Sequence, residues 1–320
     1  MKEGSVDGRQ LEYVIVLADT LHFGRAAERM CISQSAFSTQ IARLEREVGA
    51  MLFDRSANRV SLTPAGEAFL ARARKILDEV ADASAEARTL HAASQGILRV
   101  GLFCDSAGEL TQPIISAFRR AYPEVELSFR TLSMTDLVEP LASNEIDVEF
   151  LRPPVDDPRL KLYDLFADPR VAAVPTGHEL ASLTGVRTDQ LLDHAFAVAV
   201  PNAPSRWRAY WACDDARGEP GQVAALVNNI QDCLNAIAHQ GAVDTFPLSL
   251  SRFQPSPGVA YRPLLDGGYS TNAVAARRTD QRVHVQAFVH IAQQLAASCL
   301  DLVPDAVPLS EAASGTPGID

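Results

Sequence analysis

The stretch Leu21–Gly66, LHFGRAAERMCISQSAFSTQIARLEREVGAMLFDRSANRVSLTPAG, decides the fold of the amino-terminal part of the chain. Apolar residues at helical spacing up to Met30 are followed by Cys31–Ser33, which interrupts the period before a second helix begins at Gln34. Ser33 is a preferred N-cap residue, because its hydroxyl can accept a hydrogen bond from an early amide of that helix. Two helices joined by a short turn are typical of a helix-turn-helix, whose second helix enters the major groove of DNA.

The predicted second helix has one apolar face and one polar face. Its apolar face repeats at four- and three-residue steps and comprises Phe37, Ile41, Leu44 and Val48. The opposite face carries Ser35, Ser38, Thr39, Arg43 and Arg46. Hydroxyl and guanidinium groups can bond to base edges and phosphates, so the polar face is suited to a DNA groove.

The pattern changes after this helix. A short extended pair at Leu52–Phe53, a turn over residues 54–58 and an alternating piece over residues 60–62 together predict a two-stranded wing. Thr63 is a helix cap and Pro64 suits the first helical position, so a long helix is expected to begin there. Its apolar residues form the a/d seam of a coiled coil, namely Phe69, Ala73, Ile76, Val80, Ala83, Ala87 and Leu90. We therefore expect the chain to dimerise through this helix.

Beyond a small, flexible hinge at residues 92–96, extended and helical segments alternate. The first set comprises strands over 97–103, 125–130 and 146–151 and helices over 110–121 and 136–142. The first set predicts a parallel, wound sheet. After a crossing segment over 161–166, the second set comprises extended segments over 170–174, 195–200 and 223–227 and helices near Trp207 and over 231–239. The chain then returns through 259–264 and 272–276 and ends in a helix over about 282–300. The two sets predict an α/β architecture of two subdomains.

The charge is distributed unevenly along the chain. The 320 residues have a formal net charge of -11, whereas the segment His22–Thr63 carries six basic and four acidic side chains. A DNA-binding segment that is only weakly positive, in a chain that is otherwise acidic, implies modest non-specific affinity for DNA. Specific DNA binding is therefore expected to need dimers or higher assemblies. No apolar run reaches the roughly eighteen residues of a membrane span, and the amino terminus is polar, so we expect a cytoplasmic protein.

Two parts of the sequence resemble one protein family. The order of helix-turn-helix, wing and long helix, with the wording FGRAAERM, ISQSAFSTQIARLE, VGAMLFDR and LTPAG, resembles the LysR family of bacterial transcriptional regulators. The segments AYPEVEL, IDV and VPTGH resemble the effector domain of that family, whose fold is similar to that of periplasmic solute-binding proteins. The implied parts are a winged helix-turn-helix over 7–64, a linker helix over 64–93, an effector-binding domain of two subdomains over 97–300 and a flexible tail over 304–320.

The resemblance also implies which side chains contact DNA. They are Gln34, Ser35 and Thr39 at base edges, Ser33, Ser38 and Arg43 at phosphates, and Arg55 and Arg59 in the wing. Glutamine can bond adenine through two hydrogen bonds, and arginine can neutralise phosphate or enter a narrow minor groove. Ser35 stands where the family usually has proline, and Thr39 where a basic residue is common. Because both lie on the face that meets the DNA, these departures bear on the operator sequence and not on the fold.

In such a fold a small ligand lies between the subdomains, at the carboxyl ends of strands and the amino ends of helices. Alignment with the family gives Ser106 and either Ser133 or Thr135 as hydroxyl donors, although helix capping explains Thr135 equally well. The full set of expected ligand contacts is Asp105, Ser106, Ser133, Thr135, Glu149, Asn202, Asp244 and Thr245.

Glu149 is unusual because it places a carboxyl group inside a strand that should be buried, where an unpaired carboxylate is costly. The first interpretation is an ion pair with Arg130 or Arg152. The alternative is that Glu149, together with Asp105 and Asp244, makes the pocket acidic and selects an effector that bears an amine or a hydroxyl.

The cysteines, the histidines and the sequence motifs do not indicate an enzyme. The five cysteines are odd in number and lack zinc-like spacing, so structural thiols are expected; by resemblance to peroxide-sensing relatives, a redox pair between Cys213 and Cys233 is the alternative. The sequence carries no serine-hydrolase elbow, no metalloprotease helix and no P-loop, and its seven histidines are scattered. We expect neither an enzyme nor a bound metal or cofactor.

The resemblance implies a regulator in which paired linker helices form a dimer, usually within a tetramer, and place recognition helices on promoter DNA. A small effector would change the arrangement of the dimers and thereby the access or recruitment of RNA polymerase. Two other classes stay open: a solute-binding module with a vestigial reading head, and a ligand-independent architectural DNA-binding protein. Sequence-specific footprints would exclude the first, and an effector-dependent footprint would exclude the second.

Overall fold

The structure is a computed structural model that describes residues 6–54, 60–94 and 96–313. The chain forms two compact units, Met1–Ala87 and Arg88–Asp320. Among the helices of the described residues, none combines the length and the apolar character that a membrane span requires.

The first unit has the predicted winged helix-turn-helix architecture. Its elements are α1 (Gly8–Thr20), α2 (Phe23–Arg29), α3 (Gln34–Val48), β1 (Phe53–Asp54), β2 (Ser61–Leu62) and most of the long α4 (Pro64–Ser94). The hydroxyl of Ser33 accepts a hydrogen bond from the amide of Ala36 at 3.2 Å, which confirms the predicted N-cap of α3. Phe53 pairs with Leu62 in an antiparallel ladder, which confirms the two strands of the wing.

The apolar face of α3 is the core of this unit. Phe37, Ile41 and Leu44 are each at most 1% exposed, and they pack on Tyr13 of α1 and on Phe53 of β1. The rings of Tyr13 and Phe37 meet edge to face at 5.3 Å. Burial of this face leaves the opposite, polar face of α3 toward solvent.

A buried carboxylate joins α3 to the wing. Glu45 is 5% exposed, and its Oε1 accepts hydrogen bonds from the backbone amides of Leu52 at 2.9 Å and Phe53 at 3.1 Å. Because the strand amides have this partner, the chain can turn from α3 into β1 without leaving buried N–H groups unpaired. The orientation of α3 is therefore tied to the wing.

The beginning of α4 lies against the same strand. The Thr63 hydroxyl accepts a hydrogen bond from the amide of Gly66 at 3.0 Å and donates one to the carbonyl of Met51 at 2.7 Å, as expected of the predicted cap. Further along α4, the side chains of Ile76 and Val80 are 46% and 58% exposed. The predicted seam is therefore apolar and open in this part of the helix.

Gly66→Ala is expected to lower the free energy of unfolding by about 1–3 kcal/mol, because overpacking forces the backbone to shift. A Cβ atom at Gly66 would lie 2.0 Å from the carbonyl oxygen of Leu52. Urea denaturation of the full-length protein measures the change. Gly8→Ala is the matched control, since its added Cβ would meet an ordinary contact at 3.9 Å from Leu77. Equal stability of the two variants would contradict this close approach.

The second unit is built on a seven-stranded sheet. Its strands are β3 (Ile97–Leu102), β4 (Glu126–Thr131), β5 (Val148–Leu151), β6 (Leu160–Pro175), β9 (Asp244–Pro247), β10 (Val259–Pro263) and β11 (Tyr269–Arg277). Their order is β10-β6-β11-β5-β3-β4, with β9 also paired to β6. β3 is parallel to β4 and β5, whereas β11 is antiparallel to β5 and β6. The three strands of the first predicted set are therefore parallel, as expected, and the returning strand β11 enters the sheet in the opposite direction.

One long strand connects the two subdomains. The segments 161–166 and 170–174, which the sequence pattern separates, belong to the single strand β6. The first half of β6 pairs with β11 in subdomain I, which also contains β3, β4 and β5. The second half pairs with β9 and β10 in subdomain II. Subdomain II also contains β7 (Phe196–Ala199) and β8 (Val223–Val227), which are parallel to each other.

The helices cover the sheets and are mostly where the sequence predicts them. In subdomain I they are α5 (Thr111–Ala121), α6 (Glu139–Ala142) and α12 (Val283–Ser298). In subdomain II they are α7 (Thr188–Leu191), α8 (Ser205–Trp211), α9 (Asp214–Arg217), α10 (Ile230–Gln240) and α11 (Leu248–Phe253). α6 is shorter than the predicted helix over 136–142, because the carboxylate of Asp136 accepts hydrogen bonds from the amide and hydroxyl of Ser133 and holds a turn there.

The carboxyl-terminal part is more ordered than expected. Val307 and Ala167 exchange two backbone hydrogen bonds, at 3.0 and 2.8 Å, and a short helix, α13, follows at Leu309–Ala312. The prediction of a flexible tail was wrong for residues 304–313, because this segment pairs with the middle of β6. The rest of the predicted tail, residues 314–320, lies outside the described residues.

Candidate functional site

The residues predicted to read DNA lie at the amino-terminal end and along the open face of α3. Ser33, Gln34, Ser35, Thr39 and Arg43 are exposed, and Ser38 is half-buried. Arg55 and Arg59, the predicted wing contacts, lie outside the described residues. The structure thus brings six of the eight predicted DNA contacts onto one helix and its cap.

Hydrogen bonds within the helix leave acceptor groups available on this face. The Thr39 hydroxyl donates to the carbonyl of Ser35 at 2.9 Å, and the hydroxyls of Ser33 and Ser35 are 3.1 Å apart. The Thr39 hydroxyl therefore offers lone pairs, and its methyl group can contact a thymine methyl. A longer basic side chain at this position would offer only donors.

Arg43 has a carboxylate partner in the protein alone. Its Nε is 2.9 Å from Oε1 of Glu47, and the other oxygen of Glu47 accepts a hydrogen bond from Gln10 Nε2 at 2.7 Å. The hydrogen bond from Arg43 lowers the pKa of Glu47, so the pair is charged at neutral pH. This bond engages Nε, so the Nη1 and Nη2 groups of the guanidinium can still donate to a phosphate.

A cavity lies between the subdomains of the second unit. Its volume is about 30 Å³. Aromatic and apolar side chains form most of the wall, among them Phe103 and Met134 from subdomain I and Trp207, Trp211 and Phe246 from subdomain II. This volume is far below the range of about 300–1,000 Å³ that is common for small-molecule sites.

Most of the predicted ligand residues do not belong to the wall of this cavity. Of the eight, all within the described residues, only Asp244 belongs to its wall. Thr135 and Asn202 border a separate open groove together with Arg206. Met134, between the two predicted hydroxyl residues, is the side chain of that loop that reaches the cavity wall.

The remaining predicted residues have structural partners. The Ser133 hydroxyl donates to Asp136 at 2.7 Å, as a capping side chain does. The Thr245 hydroxyl donates to the carbonyl of Trp211 at 2.6 Å and accepts a hydrogen bond from Arg170 at 2.8 Å. Ser106 is buried, and its carbonyl accepts a hydrogen bond from the side chain of Asn272.

Asp105 belongs to a buried cluster around Arg152. Arg152 Nη2 is 2.7 Å from Asp105, 3.0 Å from Asp168 and 2.8 Å from the hydroxyl of Ser249. All four side chains are at most 5% exposed. Burial raises the pKa of Asp168, although Arg152 partly offsets this effect. The cluster joins the ends of β3 and β5 to β6 and α11, and Arg152 is also part of the cavity wall.

Glu149 has neither of the arginine partners that the sequence suggests. Both carboxylate oxygens are buried without a hydrogen-bond partner among the described residues, while Arg130 bonds Glu145 and Arg152 bonds Asp105 and Asp168. The ion-pair interpretation was therefore wrong, because the nearby guanidiniums are occupied by other acids. Burial raises the pKa of Glu149 well above its usual range. Nor does Glu149 belong to the cavity wall, which removes support for an acidic pocket.

The cysteines of the alternative redox pair lie apart. Cys213 and Cys233 belong to different apolar clusters, and both thiols are free. Burial raises the pKa of each thiol, which disfavours the reactive thiolate. Over residues 6–54, 60–94 and 96–313, histidine, cysteine and acidic side chains form no group of three that could hold a metal ion.

The sequence interpretation missed most of the wall, including Phe103, Trp207, Arg208 and Trp211. The available signal was the spacing of the two tryptophans, which puts both rings on one side of α8. The rings of Phe103 and Trp207 meet edge to face at 5.8 Å, so the two subdomains touch through this wall.

Glu149→Gln is expected to stabilise the protein increasingly as the pH rises. A carboxyl whose pKa is raised on folding contributes stability below its unfolded pKa, near 4.5, and that contribution is lost as the pH rises toward the folded pKa. The difference in free energy of unfolding between the variant and the natural protein should grow by at least about 1 kcal/mol from about pH 5 to about pH 8. The measurement is urea denaturation at both pH values.

Glu126→Gln is the matched control, because Glu126 is exposed on β4. It should leave the pH dependence unchanged. A pH-independent difference for Glu149→Gln would mean that Glu149 has an ionic partner in solution.

Comparison with known proteins gives two family matches. Residues 8–67 match the family described as bacterial regulatory helix-turn-helix protein, lysR family, and residues 91–297 match the LysR substrate binding domain. The HTH-type transcriptional regulator AlsR of Bacillus subtilis is 29% identical over 286 residues, which cover 88% of this chain and 94% of AlsR. The HTH-type transcriptional regulator CatR of Pseudomonas putida is 31% identical over 271 residues, which cover 84% and 92%.

Solved structures show the same fold. Full-length BenM superposes with a TM-score of 0.52 at 24% identity, covering 92% of this chain and 97% of BenM. A mutant of Corynebacterium glutamicum OxyR gives a TM-score of 0.52 at 21% identity, covering 98% and 96%.

Proposed function

Because this chain belongs to the LysR family of bacterial transcriptional regulators, we propose that it binds promoter DNA through α3 and that a small molecule in the cavity adjusts this binding. The observation that carries the proposal is the exposed polar face of α3. On the opposite face Phe37, Ile41 and Leu44 are buried, and Glu45 joins the helix to the wing. A rigidly held helix can present its side chains to a groove without losing conformational entropy on binding.

The proposed contacts divide by position on α3. Gln34, Ser35 and Thr39 approach base edges, while Ser33, Ser38 and Arg43 bind phosphates. Arg55 and Arg59 are proposed to serve the wing on the strength of the family resemblance. Phosphate contacts fix the register of the helix, and base contacts select the sequence.

The working form is proposed to be a dimer through α4, within a tetramer. Ile76 and Val80 are exposed apolar residues on the predicted seam, and a second copy of the helix would cover them. Two winged helix-turn-helix domains held in this way contact two half-sites. The affinity of the dimer for DNA is then higher than that of one weakly charged domain. We further propose that the protein acts on RNA polymerase at the promoter, in the cytoplasm, and has no catalytic reaction of its own.

In vitro selection from a pool of random duplexes tests the proposed function. The purified protein should enrich a motif with dyad symmetry in the presence of non-specific competitor DNA. Recovery of sequences without a shared motif would contradict a sequence-specific regulator.

Gln34→Ala is expected to weaken discrimination between the selected motif and its single-base variants by about 1–3 kcal/mol at one position of each half-site. Competition gel shifts with variant duplexes measure the discrimination. Gln112→Ala, an exposed glutamine of α5 in the second unit, is the control and should leave it unchanged. An unaltered preference for Gln34→Ala would show that this side chain reads no base.

Val80→Asp is expected to dissociate the dimer, because it places a charge at the centre of an apolar seam. Sedimentation should show a smaller species, and binding to the dyad-symmetric site should weaken at least about tenfold. Ala81→Asp, one residue away on the outside of the coiled coil, is the control and should remain dimeric. If both variants keep the natural assembly, α4 is not the interface.

A further inference from the structure

His22 occupies the N-cap position of α2, where serine, threonine, aspartate and asparagine are the usual residues. Its Nδ1 accepts hydrogen bonds from the backbone amides of Gly24 at 3.1 Å and Arg25 at 3.3 Å. A ring nitrogen that accepts hydrogen bonds carries no proton, so the proton of the neutral imidazole is on the other nitrogen, Nε2. The cap therefore fixes the tautomer of His22 and makes Nε2 a hydrogen-bond donor.

This donor is not used within the part of the protein that the structure describes. Over residues 6–54, 60–94 and 96–313, the ring of His22 makes no hydrogen bond besides the two at Nδ1, and the residue is exposed. Nδ1 already pairs the amides of Gly24 and Arg25, so the donor offered here is the ring N–H and not those amides. An exposed N–H group whose direction is fixed by a second bond of the same ring is suited to bind an acceptor from outside the chain.

The Nε2–H group lies beside the residue that begins α3. A Cβ atom on Gly24 would be 3.0 Å from Cε1 of His22 and 3.5 Å from Oε1 of Gln34. Both side chains therefore lie against the same glycine, and Cε1 is the ring atom bonded to Nε2. Gln34 is the first residue of α3, and its side chain is proposed to meet a base edge. His22 is thus held next to the polar face of α3.

A phosphate oxygen is the acceptor that DNA offers at this place. In a helix-turn-helix the first residues of the second helix contact base edges, while the first helix crosses the sugar–phosphate backbone. α2 is the first helix of this motif, and His22 lies at its start. Arg25 is also exposed, and its Nη2 donates to the carbonyl of Thr20 at 2.8 Å, so a positive charge is held at the same end of α2. This charge favours a negatively charged acceptor.

We propose that His22 contacts a phosphate of the DNA backbone through Nε2–H, as a neutral donor that the capping bonds of Nδ1 hold in place. The inference rests on the proposed function, because it takes α3 as the helix that enters the major groove. One imidazole then has two roles: it begins α2, and it positions α2 on the backbone. Such a contact fixes the register of α3 without selecting a base.

Two substitutions separate the two nitrogen atoms of the ring. In His22→Asn the side-chain oxygen can replace Nδ1, since asparagine is a preferred N-cap residue, but no donor reaches the position of Nε2. This variant should keep the urea midpoint of the natural protein and lose at least about tenfold in affinity for the selected duplex. In His22→Gln the longer side chain can carry an N–H group to the position of Nε2, but the cap is lost. This variant should have a lower urea midpoint and bind DNA more tightly than His22→Asn.

The dependence of binding on sequence and salt identifies the acceptor. The full-length protein and its variants are titrated with the duplex obtained by in vitro selection and with single-base variants of it, each at several salt concentrations. A phosphate contact is independent of sequence, so His22→Asn should weaken binding to all of these duplexes by the same factor. A neutral donor releases no counterion, so the slope of log affinity against log salt concentration should be unchanged.

His239→Asn is the matched control, because His239 is an exposed histidine of α10 in the second unit. It should bind DNA as the natural protein does. Undiminished affinity of a stably folded His22→Asn would overturn the phosphate contact, since capping alone would then explain the residue. A changed preference among the single-base variants would also overturn it, because His22 would then read a base. A smaller salt slope for His22→Asn would overturn the neutral donor, because the ring would then bind as a cation.

Failure of this inference can be told from failure of the proposed function. If the natural protein enriches a shared motif and His22→Asn binds that motif equally well, the contact alone is contradicted. If the natural protein enriches no shared motif, the proposed function is contradicted, and with it the contact.

Discussion

The buried guanidinium of Arg152 is the constraint on which the second unit depends. A charge removed from water needs compensating partners, and Arg152 finds them on Asp105, on Asp168 and on Ser249. Since Asp168 lies on β6, the strand shared by both subdomains, these contacts fix the point at which the subdomains meet. Arg152 also belongs to the wall of the cavity between the subdomains, so the cluster is one side of that cavity.

The two units show how differently a buried acid can be accommodated. Glu45 in the first unit accepts hydrogen bonds from two backbone amides and thereby joins α3 to the first strand of the wing. Glu149 in the second unit has no such partner among the residues that the structure describes, and its burial favours the protonated form instead. A satisfied carboxylate orders the chain around it, whereas an unsatisfied one is a local cost that the surrounding apolar packing must exceed.

Local features of the fold followed from the sequence, and contacts across the fold did not. The Ser33 and Thr63 caps and the apolar face of α3 depend on neighbouring residues, so periodicity and capping preferences predicted them. The partner of Arg152 at Ser249 is 97 residues away, and nothing in the local pattern points to it. In the loop after β4, Met134 belongs to the cavity wall, whereas its neighbours Ser133 and Thr135 do not. The sequence does not show which of three consecutive loop residues faces the cavity. The order of residues 304–313 likewise depends on pairing with a distant strand.

The most direct measurement of the central claim, a regulator that reads promoter DNA, is a footprint of the full-length protein on the DNA upstream of its own gene, at physiological salt and with competitor. The account predicts a protected region with dyad symmetry, because α4 pairs two heads whose α3 helices enter successive major grooves. A complete lack of protection there, together with a lack of sequence-specific sites across the genome, would contradict it.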